Sequence, residues 1–339
     1  MQNGIVPFHI GSESWFYSSF GFRLPNGLEL VLIYSVSFPI EQWNRFKKNV
    51  FKSIAYKPIN DLIKVFITPH ADTRNHLSFN GVFTATSKEG NSFLLTNKKF
   101  FLETEIYWFG IDHVLWEQAS QKVWVELSKR SKVVIDVGAN SGIYSLLSKA
   151  NNPSCEVVAF EPQKNIYEVL CANNRVNKFN IKCYMLALSD EGGEQNFYNY
   201  GRDPFNSGNT TAGSLNKEWR TDRQKFTTVN VCRLDSIIKK LNLGKIDLIK
   251  IDVETYEFQV LLGYGQLLFE QRPVILLEIQ SSEIGNNVIG LLDGHDYRAF
   301  NIDESKGLRP MIDLNFSYSD KNYLLCPFEK LDLIQSFVV

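Results

Sequence analysis

The sequence contains no Cys-x-x-Cys pair, although it has five cysteines. These residues lie largely in apolar segments, which is typical of free thiols in a reducing compartment. We therefore expect unpaired cysteines and a cytoplasmic protein. The five are Cys155, Cys171, Cys183, Cys232 and Cys326.

Long hydrophobic runs and a charge bias are also missing. The longest apolar run, from Leu28 to Ile40, contains Glu29 and Pro39 and is too short and too polar to span a bilayer. The N-terminus has no basic segment followed by an apolar core, so no signal peptide is evident. There are 36 basic and 37 acidic residues, a formal net charge of −1. No overall field therefore recruits nucleic acid or an anionic membrane, and a small or neutral partner fits better.

The chain has no Gly-x-Gly-x-x-Gly run, the loop that holds a dinucleotide pyrophosphate. A nicotinamide oxidoreductase is therefore not favoured. What the chain has instead is the segment from Lys132 to Ser145. Its residues Val133 to Ile135 are apolar and β-branched, which is typical of a strand buried on both faces of a parallel sheet. Gly138 and Gly142 follow, and then apolar residues at helical spacing, so the unit is strand, tight turn and helix.

The turn carries a carboxylate, Asp136, at the end of its strand. A carboxylate repels a pyrophosphate, but it suits a ligand that has an ammonium or sulfonium charge and no phosphate. S-adenosylmethionine (SAM) has both of these charges, and we expect it to bind here. A helix cap is the alternative role for Asp136.

A second acid follows the next predicted strand. The segment Glu156 to Phe160 is apolar after its first residue and ends in Glu161-Pro162. In α/β nucleotide folds a carboxylate at this place accepts hydrogen bonds from ribose hydroxyls. We therefore predict that Glu161 binds the ribose, with a solvated loop acid as the alternative.

A pair of acids marks a second chemical centre. Asp252 and Glu254 follow a buried strand over residues 246–251, and residues i and i+2 of an extended chain lie on one face. A carboxylate whose pKa is raised by burial or by a like-charged neighbour can take the proton of a hydroxyl as a methyl group moves. Binding of Mg²⁺ by the pair, or capping of the next helix, are alternatives that the sequence leaves open. The last predicted core strand, Val274 to Ile279, carries Glu278 towards the same cleft.

The order and spacing of these motifs resemble those of the FkbM family of SAM-dependent methyltransferases. The similarity runs from about Gly81 to Glu278. It implies a class I, Rossmann-like α/β fold with a doubly wound, mostly parallel seven-stranded sheet. It also implies transfer of a methyl group, usually to a hydroxyl of a sugar or polyketide. The motifs are Asp136 to Ser145, Phe160-Glu161-Pro162, Ala187-Leu188-Ser189-Asp190, and Lys250 to Glu254 followed by Tyr256-Glu257.

The resemblance further implies which residues form the site. The glycine turn would hold the methionine moiety of SAM, and Leu188 to Asp190 would lie near the adenine. The predicted catalytic residues are Asp252, Glu254 and Glu278. The predicted cofactor-binding residues are Asp136, Gly138, Ala139, Asn140, Gly142, Tyr144, Glu161, Pro162, Leu188, Ser189, Asp190 and Asp252.

One position departs from the family pattern. The residue after Glu254 is usually glycine in the sequences that this chain resembles, and here it is Thr255. If the backbone there needs a positive φ, a β-branched residue costs on the order of 1–2 kcal/mol. Either the turn has a different conformation from that of the family, or the site has diverged from that of the family.

Three parts of the chain are distinguished by pattern. Residues 1–80 are expected to form an N-terminal α+β accessory region or a dimer element. A basic amphipathic helix from Trp43 to Ile54 would pack on the main domain, or touch a membrane or an acidic partner. Residues 81–130 are expected to form a hairpin and helices that lead into the core. Residues 131–339 are expected to form the methyltransferase domain.

Two further segments are candidates for the active site. Glu117 follows a tryptophan, as a similar acid often does in the family, and it would point into the site or be an exposed helix acid. The polar stretch from Gly201 to Lys225 would face the substrate or be a disordered insertion.

The combined prediction is a SAM-dependent O-methyltransferase that acts on a hydroxyl of a sugar, a glycan or a polyketide-type natural product. The alternative is a catalytically silent SAM-binding or scaffold protein in a glycan or natural-product assembly complex. A need for Mg²⁺ and a homodimer are both left open by the sequence.

Overall fold

The structure is a computed structural model of the 339-residue chain. The backbone is described for residues 8–10, 13–15, 17–23, 29–35 and 68–69, and the structure further describes residues 57–66, 77, 79–87, 91–111, 117–199, 212–219, 225–311 and 320–339. The predicted helix from Trp43 to Ile54 and most of the stretch from Gly201 to Lys225 lie outside the described residues.

The chain divides into two compact units. The first comprises residues 1–83 and 97–109, and the second comprises residues 84–96 and 110–339. The division into an accessory region up to residue 80, a lead-in up to residue 130 and a methyltransferase domain stays a prediction.

Within the described ranges, the N-terminal part contains short antiparallel strands and one helix. Its elements are β1 (Phe8–Ile10), β2 (Glu13–Trp15), β3 (Tyr17–Arg23), β4 (Glu29–Ser35), helix α1 (Lys57–Phe66) and β5 (Thr68–Pro69). Strand β1 pairs with β2, and β3 pairs with both β4 and β5.

A hairpin and a second helix follow. Strands β6 (Asn80–Thr86) and β7 (Ser92–Lys98) form a two-stranded sheet, which confirms the predicted hairpin. Helix α2 runs over Phe101–Phe109.

The largest sheet of the second unit has eight strands, and buried residues of its strands form part of the hydrophobic core. The strands of this unit, in chain order, are β8 (Val133–Val137), β9 (Glu156–Phe160), β10 (Lys182–Tyr184), β11 (Ala187–Leu188), β12 (Gly193–Asn199), β13 (Gly213–Ser214), β14 (Lys225–Cys232), β15 (Leu248–Ile251), β16 (Val274–Glu278), β17 (Tyr297–Asp303), β18 (Gly307–Pro310) and β19 (Asn322–Pro327).

The spatial order of the large sheet is β10-β9-β8-β15-β16-β19-β17-β18. Strands β10, β9, β8, β15 and β16 are parallel, and β19 runs antiparallel between β16 and β17. The predicted α/β fold with a doubly wound, mostly parallel sheet is therefore confirmed. One detail differs from the prediction of seven strands, since β18 adds an eighth strand to the sheet.

Helices cover this sheet. They are α3 (Gln118–Lys129), α4 (Ile143–Asn151), α5 (Lys164–Val176), α6 (Leu234–Lys240), α7 (Glu257–Tyr264), α8 (Gln266–Gln271) and α9 (Ser282–Leu292), and short 3₁₀ turns follow at Phe328–Leu333 and Gln335–Phe337. Helix α3 packs on α4, and α7 packs on α6 and α9. Every residue of β8 and β15 is buried, as is typical of parallel strands with both faces covered.

A second, four-stranded sheet was not anticipated. Its order is β11-β14-β12-β13, and β12 pairs with β14 in an antiparallel ladder. From sequence, the mostly apolar segment from Lys182 to Leu188 predicts a single strand, the third of the main sheet. Instead, the chain leaves that sheet after Tyr184, and Ala187–Leu188 pairs with β14. The prediction was wrong because a continuous apolar run does not reveal which sheet each half joins.

All five cysteines have free thiols, and Cys155 and Cys326 are buried, which confirms the predicted unpaired cysteines. Over the described ranges, each helix is too short or too polar to cross a bilayer.

Candidate functional site

The carboxyl ends of three parallel strands meet at one cleft. The turns after β8, β9 and β15 form one side, and residues of the second sheet, such as Phe197 and Gly213, form the other. Open α/β sheets bind their ligands at this edge, where the chain turns away in opposite directions.

The structure brings seven of the predicted site residues to the cleft. They are Gly138, Asn140, Glu161, Pro162, Leu188, Asp252 and Glu254. The other predicted residues lie outside its lining. They are Asp136, Ala139, Gly142, Tyr144, Ser189, Asp190 and Glu278.

The glycine turn is shaped by a close backbone contact. Gly138 has a φ of +75°, and a Cβ atom placed on it would lie 1.8 Å from the backbone oxygen of Asp252. The N–H groups of Gly138 and Ala139 both donate to the oxygen of Phe160, at 3.0 and 2.9 Å. Only glycine allows this approach, because any side chain would collide with the end of β15.

Asp136 lies beneath this turn, with only 1% of its surface exposed. Its Oδ2 accepts hydrogen bonds from the hydroxyl and the N–H of Ser145, at 2.6 and 3.1 Å. Its Oδ1 is buried and has no partner among the described residues. Burial raises the pKa of Asp136, and the nearby Lys250 ammonium opposes this effect. The turn therefore contains a carboxylate oxygen that a ligand or a water molecule can still satisfy.

Glu161 is buried at the end of β9 and faces the cleft. Its two oxygens accept the N–H groups of Asn140, at 3.1 Å, and of Gln163, at 2.8 Å. Burial raises the pKa of Glu161 to about 8, although both backbone bonds lower it. Each oxygen keeps a second lone pair for a hydroxyl group of a ligand.

The end of β11 supplies a wall of the cleft. Leu188 lines it, whereas Ser189 is fully buried and donates from its hydroxyl to Oδ1 of Asp190, at 3.0 Å. The backbone oxygen of Asp190 accepts from Arg233, at 2.6 Å. The predicted roles of Ser189 and Asp190 beside the adenine stay predictions.

Lys250 is a central residue that sequence reasoning missed. It is buried within β15, and its ammonium lies 2.7 Å from Oδ2 of Asp252. Burial alone would lower the pKa of Lys250, but the carboxylates of Asp252, Glu117 and Asp136 together raise it above its usual value. A lysine inside an otherwise apolar buried strand was the available signal, because such a charge requires a partner.

Tyr144 and Glu117 complete the surroundings of this lysine. The Lys250 ammonium lies 4.7 Å from the centre of the Tyr144 ring, and the Tyr144 hydroxyl donates to Oε2 of Glu117 at 3.1 Å. Burial raises the pKa of Glu117, while Lys250 opposes the rise. Glu117 is therefore a half-buried residue and not an exposed helix acid, and it is not among the described residues that line the cleft.

Glu254 and Glu278 share a single amide donor. The side-chain nitrogen of Gln280 lies 2.6 Å from Oε2 of Glu254 and 3.0 Å from Oε2 of Glu278. Trp219 also donates from its indole N–H to Oε2 of Glu254, at 3.1 Å. Burial, followed by the charges of Asp252 and Glu254, raises the pKa of Glu278 to about 9. Sequence reasoning missed Gln280 and Trp219, because neither belongs to a recognisable motif.

The turn after Asp252 is not extended, contrary to expectation. Glu254 and Thr255 have φ values of +56° and +75°, so strand alternation does not place Asp252 and Glu254 on one face. Both nevertheless line the cleft. The buried Glu257 holds this turn, since its Oε1 accepts the N–H groups of Val253 and Thr255 at 3.3 and 3.1 Å.

The chemistry of the lining favours one class of ligand. No lysine, arginine or histidine occurs among the described residues that line the cleft, so a phosphate would find no cationic side chain there. Carboxylates fit hydroxyl and ammonium groups. Within the described ranges, no three His, Cys, Asp or Glu side chains are grouped so as to hold a metal ion, and the Mg²⁺ alternative gains no support.

Comparison with known proteins identifies the domain that carries these residues. Residues 136–299 match the family model of the methyltransferase FkbM domain. The chain is 32% identical over 181 residues to the AMB antimetabolite synthetase AmbE of Pseudomonas aeruginosa. The aligned region covers 45% of this chain and 8% of that protein. It is 28% identical over 187 residues to the 31-O-demethyl-FK506 methyltransferase FkbM of Streptomyces tacrolimicus, covering 49% of this chain and 72% of that protein.

A solved structure is also similar. It is the methyltransferase FkbM of Methylobacillus flagellatus, with a TM-score of 0.39 and 16% sequence identity over 57% of this chain and 43% of that one. The family match covers the glycine turn, Glu161 and the Asp252–Glu254 turn, which are the strand ends that form the cleft. This chain therefore carries, over residues 136–299, a methyltransferase domain of the FkbM family.

Proposed function

We propose that this protein is a SAM-dependent O-methyltransferase whose acceptor is a hydroxyl group of a sugar, a glycan or a polyketide-type natural product. The observation that carries the proposal is the meeting of Glu161, Asp252 and Glu254 in one cleft around Gly138. One relative is named for methylation at an oxygen, the 31-O-demethyl-FK506 methyltransferase. That name supports an oxygen acceptor for this chain.

The residues of the cleft fit SAM. The cleft-facing carboxyl of Glu161 would hold the ribose hydroxyls. The buried, unpartnered Oδ1 of Asp136 lies behind the lining and would reach the ammonium end through a bridging water molecule. The apolar wall that contains Phe160 and Leu188 would pack on the adenine. When bound, SAM supplies an electrophilic methyl group on a sulfonium sulfur.

The acidic residues after β15 would act on the acceptor. Asp252, held by Lys250, would orient the acceptor hydroxyl towards the cofactor side of the cleft and take its proton. Glu254, held by Trp219 and Gln280, would accept a further hydrogen bond from the acceptor. With a pKa of about 9, Glu278 would be protonated near neutral pH. It would thereby limit the total negative charge of Asp252, Glu254 and Glu278.

Binding of the cofactor is the first test. Titration calorimetry of the protein with SAM and S-adenosylhomocysteine should show binding of both. Glu161→Ala should weaken it about tenfold, the effect of losing ordinary hydrogen bonds between the ribose hydroxyls and a carboxyl that is largely protonated at neutral pH. Glu168→Ala is the matched control, because Glu168 is an exposed acid on α5. Absence of binding by the wild-type protein would overturn the proposal.

The acceptor is sought next with the methyl group of SAM labelled. Sugars and polyketides with free hydroxyls are incubated with the protein, and label in the product identifies the oxygen that is methylated. Label on nitrogen or carbon would contradict O-methylation while leaving methyl transfer intact. Binding without any transfer would favour the silent SAM-binding or scaffold role instead.

The free thiols support a reducing compartment such as the cytoplasm.

A further inference from the structure

Two consecutive residues at the cleft have a strained backbone. Glu254 and Thr255 both have positive φ, at +56° and +75°. Such values disfavour residues with a side chain by on the order of 1–2 kcal/mol each, and a β-branched residue is affected most. Strain of this kind persists only where the surroundings fix the conformation. The contacts of these two residues therefore indicate which structural role the strained turn has.

One short segment holds the side chains of both strained residues. Asn216 donates from Nδ2 to the Thr255 hydroxyl oxygen at 2.9 Å, and Trp219 donates from its indole to Glu254 at 3.1 Å. These donors belong to the segment 212–219, whose residues Ala212, Gly213 and Leu215 line the cleft. The segment thus forms a wall of the cleft and is fastened to the turn that carries Glu254.

The orientation of the Asn216 amide is set within the segment. Its Oδ1 accepts the N–H of Glu218 at 2.9 Å, and its own N–H donates to the Ser214 hydroxyl at 2.9 Å. The amide nitrogen must therefore point away from the segment and needs an acceptor there. The Thr255 hydroxyl is that acceptor. A glycine at position 255 would relieve the strain, but it would leave this donor without its partner.

We propose that Thr255 is a positioning residue, which fixes the segment 212–219 as the wall of the cleft through its hydroxyl. This rests on the proposed function only in assigning the cleft to SAM and its acceptor. The threonine that replaces the glycine usual in the family is then a feature of the site and not a sign of its decay. The strain is tolerated because the carboxyl of Glu257 accepts hydrogen bonds from the backbone N–H groups of Val253 and Thr255.

Hydrogen exchange of the full-length protein tests the proposal. Thr255→Val keeps the branched side chain and removes only the hydroxyl, so amides of residues 212–219 should exchange about three- to tenfold faster, as expected for one lost hydrogen bond. Thr255→Ser keeps the hydroxyl and should exchange like the wild type. Thr255→Gly should also exchange faster, even though it relieves the strain. Asn216→Ala should raise the exchange rates of residues 212–219 as much as Thr255→Val does. The double variant should exchange little faster than either single variant.

Affinity for S-adenosylhomocysteine is measured on the same variants. Thr255→Val should weaken binding severalfold and Thr255→Ser should not, because the wall of the cleft moves only in the first. Unchanged exchange over residues 212–219 in Thr255→Val would overturn the proposal, as would equal effects of the valine and serine variants. If the wild type bound no S-adenosylhomocysteine, the proposed function would fail, while the exchange result would still decide the role of Thr255.

Discussion

The ammonium nitrogen of Lys250 lies 2.7 Å from Oδ2 of Asp252, and the two side chains differ sharply in exposure, at 4% and 30%. The pair therefore extends from the core of the sheet to the surface of the cleft. A buried cation of this kind is stable only with anionic partners, which here are Asp252, Asp136 and Glu117. It holds Asp252 at the site where the acceptor hydroxyl is proposed to bind.

Replacement of this cation should affect both stability and ligand binding. Lys250→Met leaves three acidic side chains without their shared cation, and the free energy of unfolding should fall by about 3 kcal/mol, the lower end for a broken buried ion pair because Asp252 is partly exposed. Without Lys250 the pKa of Asp136 should rise further, since the ammonium opposes the effect of burial. Binding of S-adenosylhomocysteine should then be weak at pH 7 and improve as the pH is raised.

Lys149→Met is the control for this variant. Lys149 is also buried, but its ammonium donates to the backbone oxygens of Pro153 and Cys155, at 2.8 and 2.7 Å. Urea unfolding should show a loss of stability here too, with no pH-dependent change in ligand affinity. The same pH dependence in both variants would contradict the specific role of Lys250.

The raised pKa of Glu278 predicts a pH dependence of stability. The folded carboxyl has a pKa of about 9, against an ordinary value of 4.5, so the folded state binds the proton more tightly. The stability that this proton provides is present at low pH and is lost as pH rises from about 4.5 through 9, at up to about 1.4 kcal/mol per pH unit. Glu278→Gln cannot ionise, and its unfolding free energy should decline less steeply between pH 6 and 9.

Glu329→Gln is the control for this variant, because the pKa of Glu329 is shifted in the opposite direction. Glu329 is bonded to Arg272, which holds the pKa of Glu329 at about 2. Its contribution is present above the ordinary pKa and is lost only in acid, so this variant should be offset from the wild type by a constant amount between pH 6 and 9. Parallel curves for Glu278→Gln and the wild type would show that the Glu278 proton is not held as described.

The contact between Gly138 and Asp252 predicts a severe effect of a single methyl group. Gly138→Ala places a Cβ atom 1.8 Å from the Asp252 oxygen and forces an alanine to a positive φ. We expect a loss of about 3 kcal/mol or more in stability, together with loss of S-adenosylhomocysteine binding. Gly290→Ala on α9 is the control, since its added Cβ meets nothing within 4 Å and should stabilise the helix slightly. Thermal unfolding and calorimetry distinguish the two, and equal Tm values would be inconsistent with the contact.

Removal of both negative charges after β15 tests the catalytic assignment. Asp252→Asn combined with Glu254→Gln keeps the size of both side chains, and methylation of an acceptor found by screening should fall about 10²- to 10⁴-fold, the usual contribution of a general base. The affinity for S-adenosylhomocysteine, measured by calorimetry, should change much less. Undiminished methylation by the double variant would refute the assignment.

The sequence by itself determined the scaffold and one side of the cleft. The largely apolar runs at Val133–Val137, Glu156–Phe160 and Leu248–Ile251 are strands where they were expected, because parallel strands covered on both faces are rich in β-branched and other apolar residues. Glu161 and Asp252 could be placed at the cleft because the ends of parallel strands share one edge.

Only the tertiary structure decided how the acids are held. Asn216, Trp219 and Gln280 reach the Glu254–Thr255 turn from 39, 35 and 26 residues away, and no local pattern marks such partners. The positive φ of Thr255 and the second sheet likewise depend on contacts that form only when distant segments pack. The burial of a strand and the position of its end can be predicted from local sequence. The residue that pairs with a buried charge, or that holds a strained turn, depends on the packing of the whole domain.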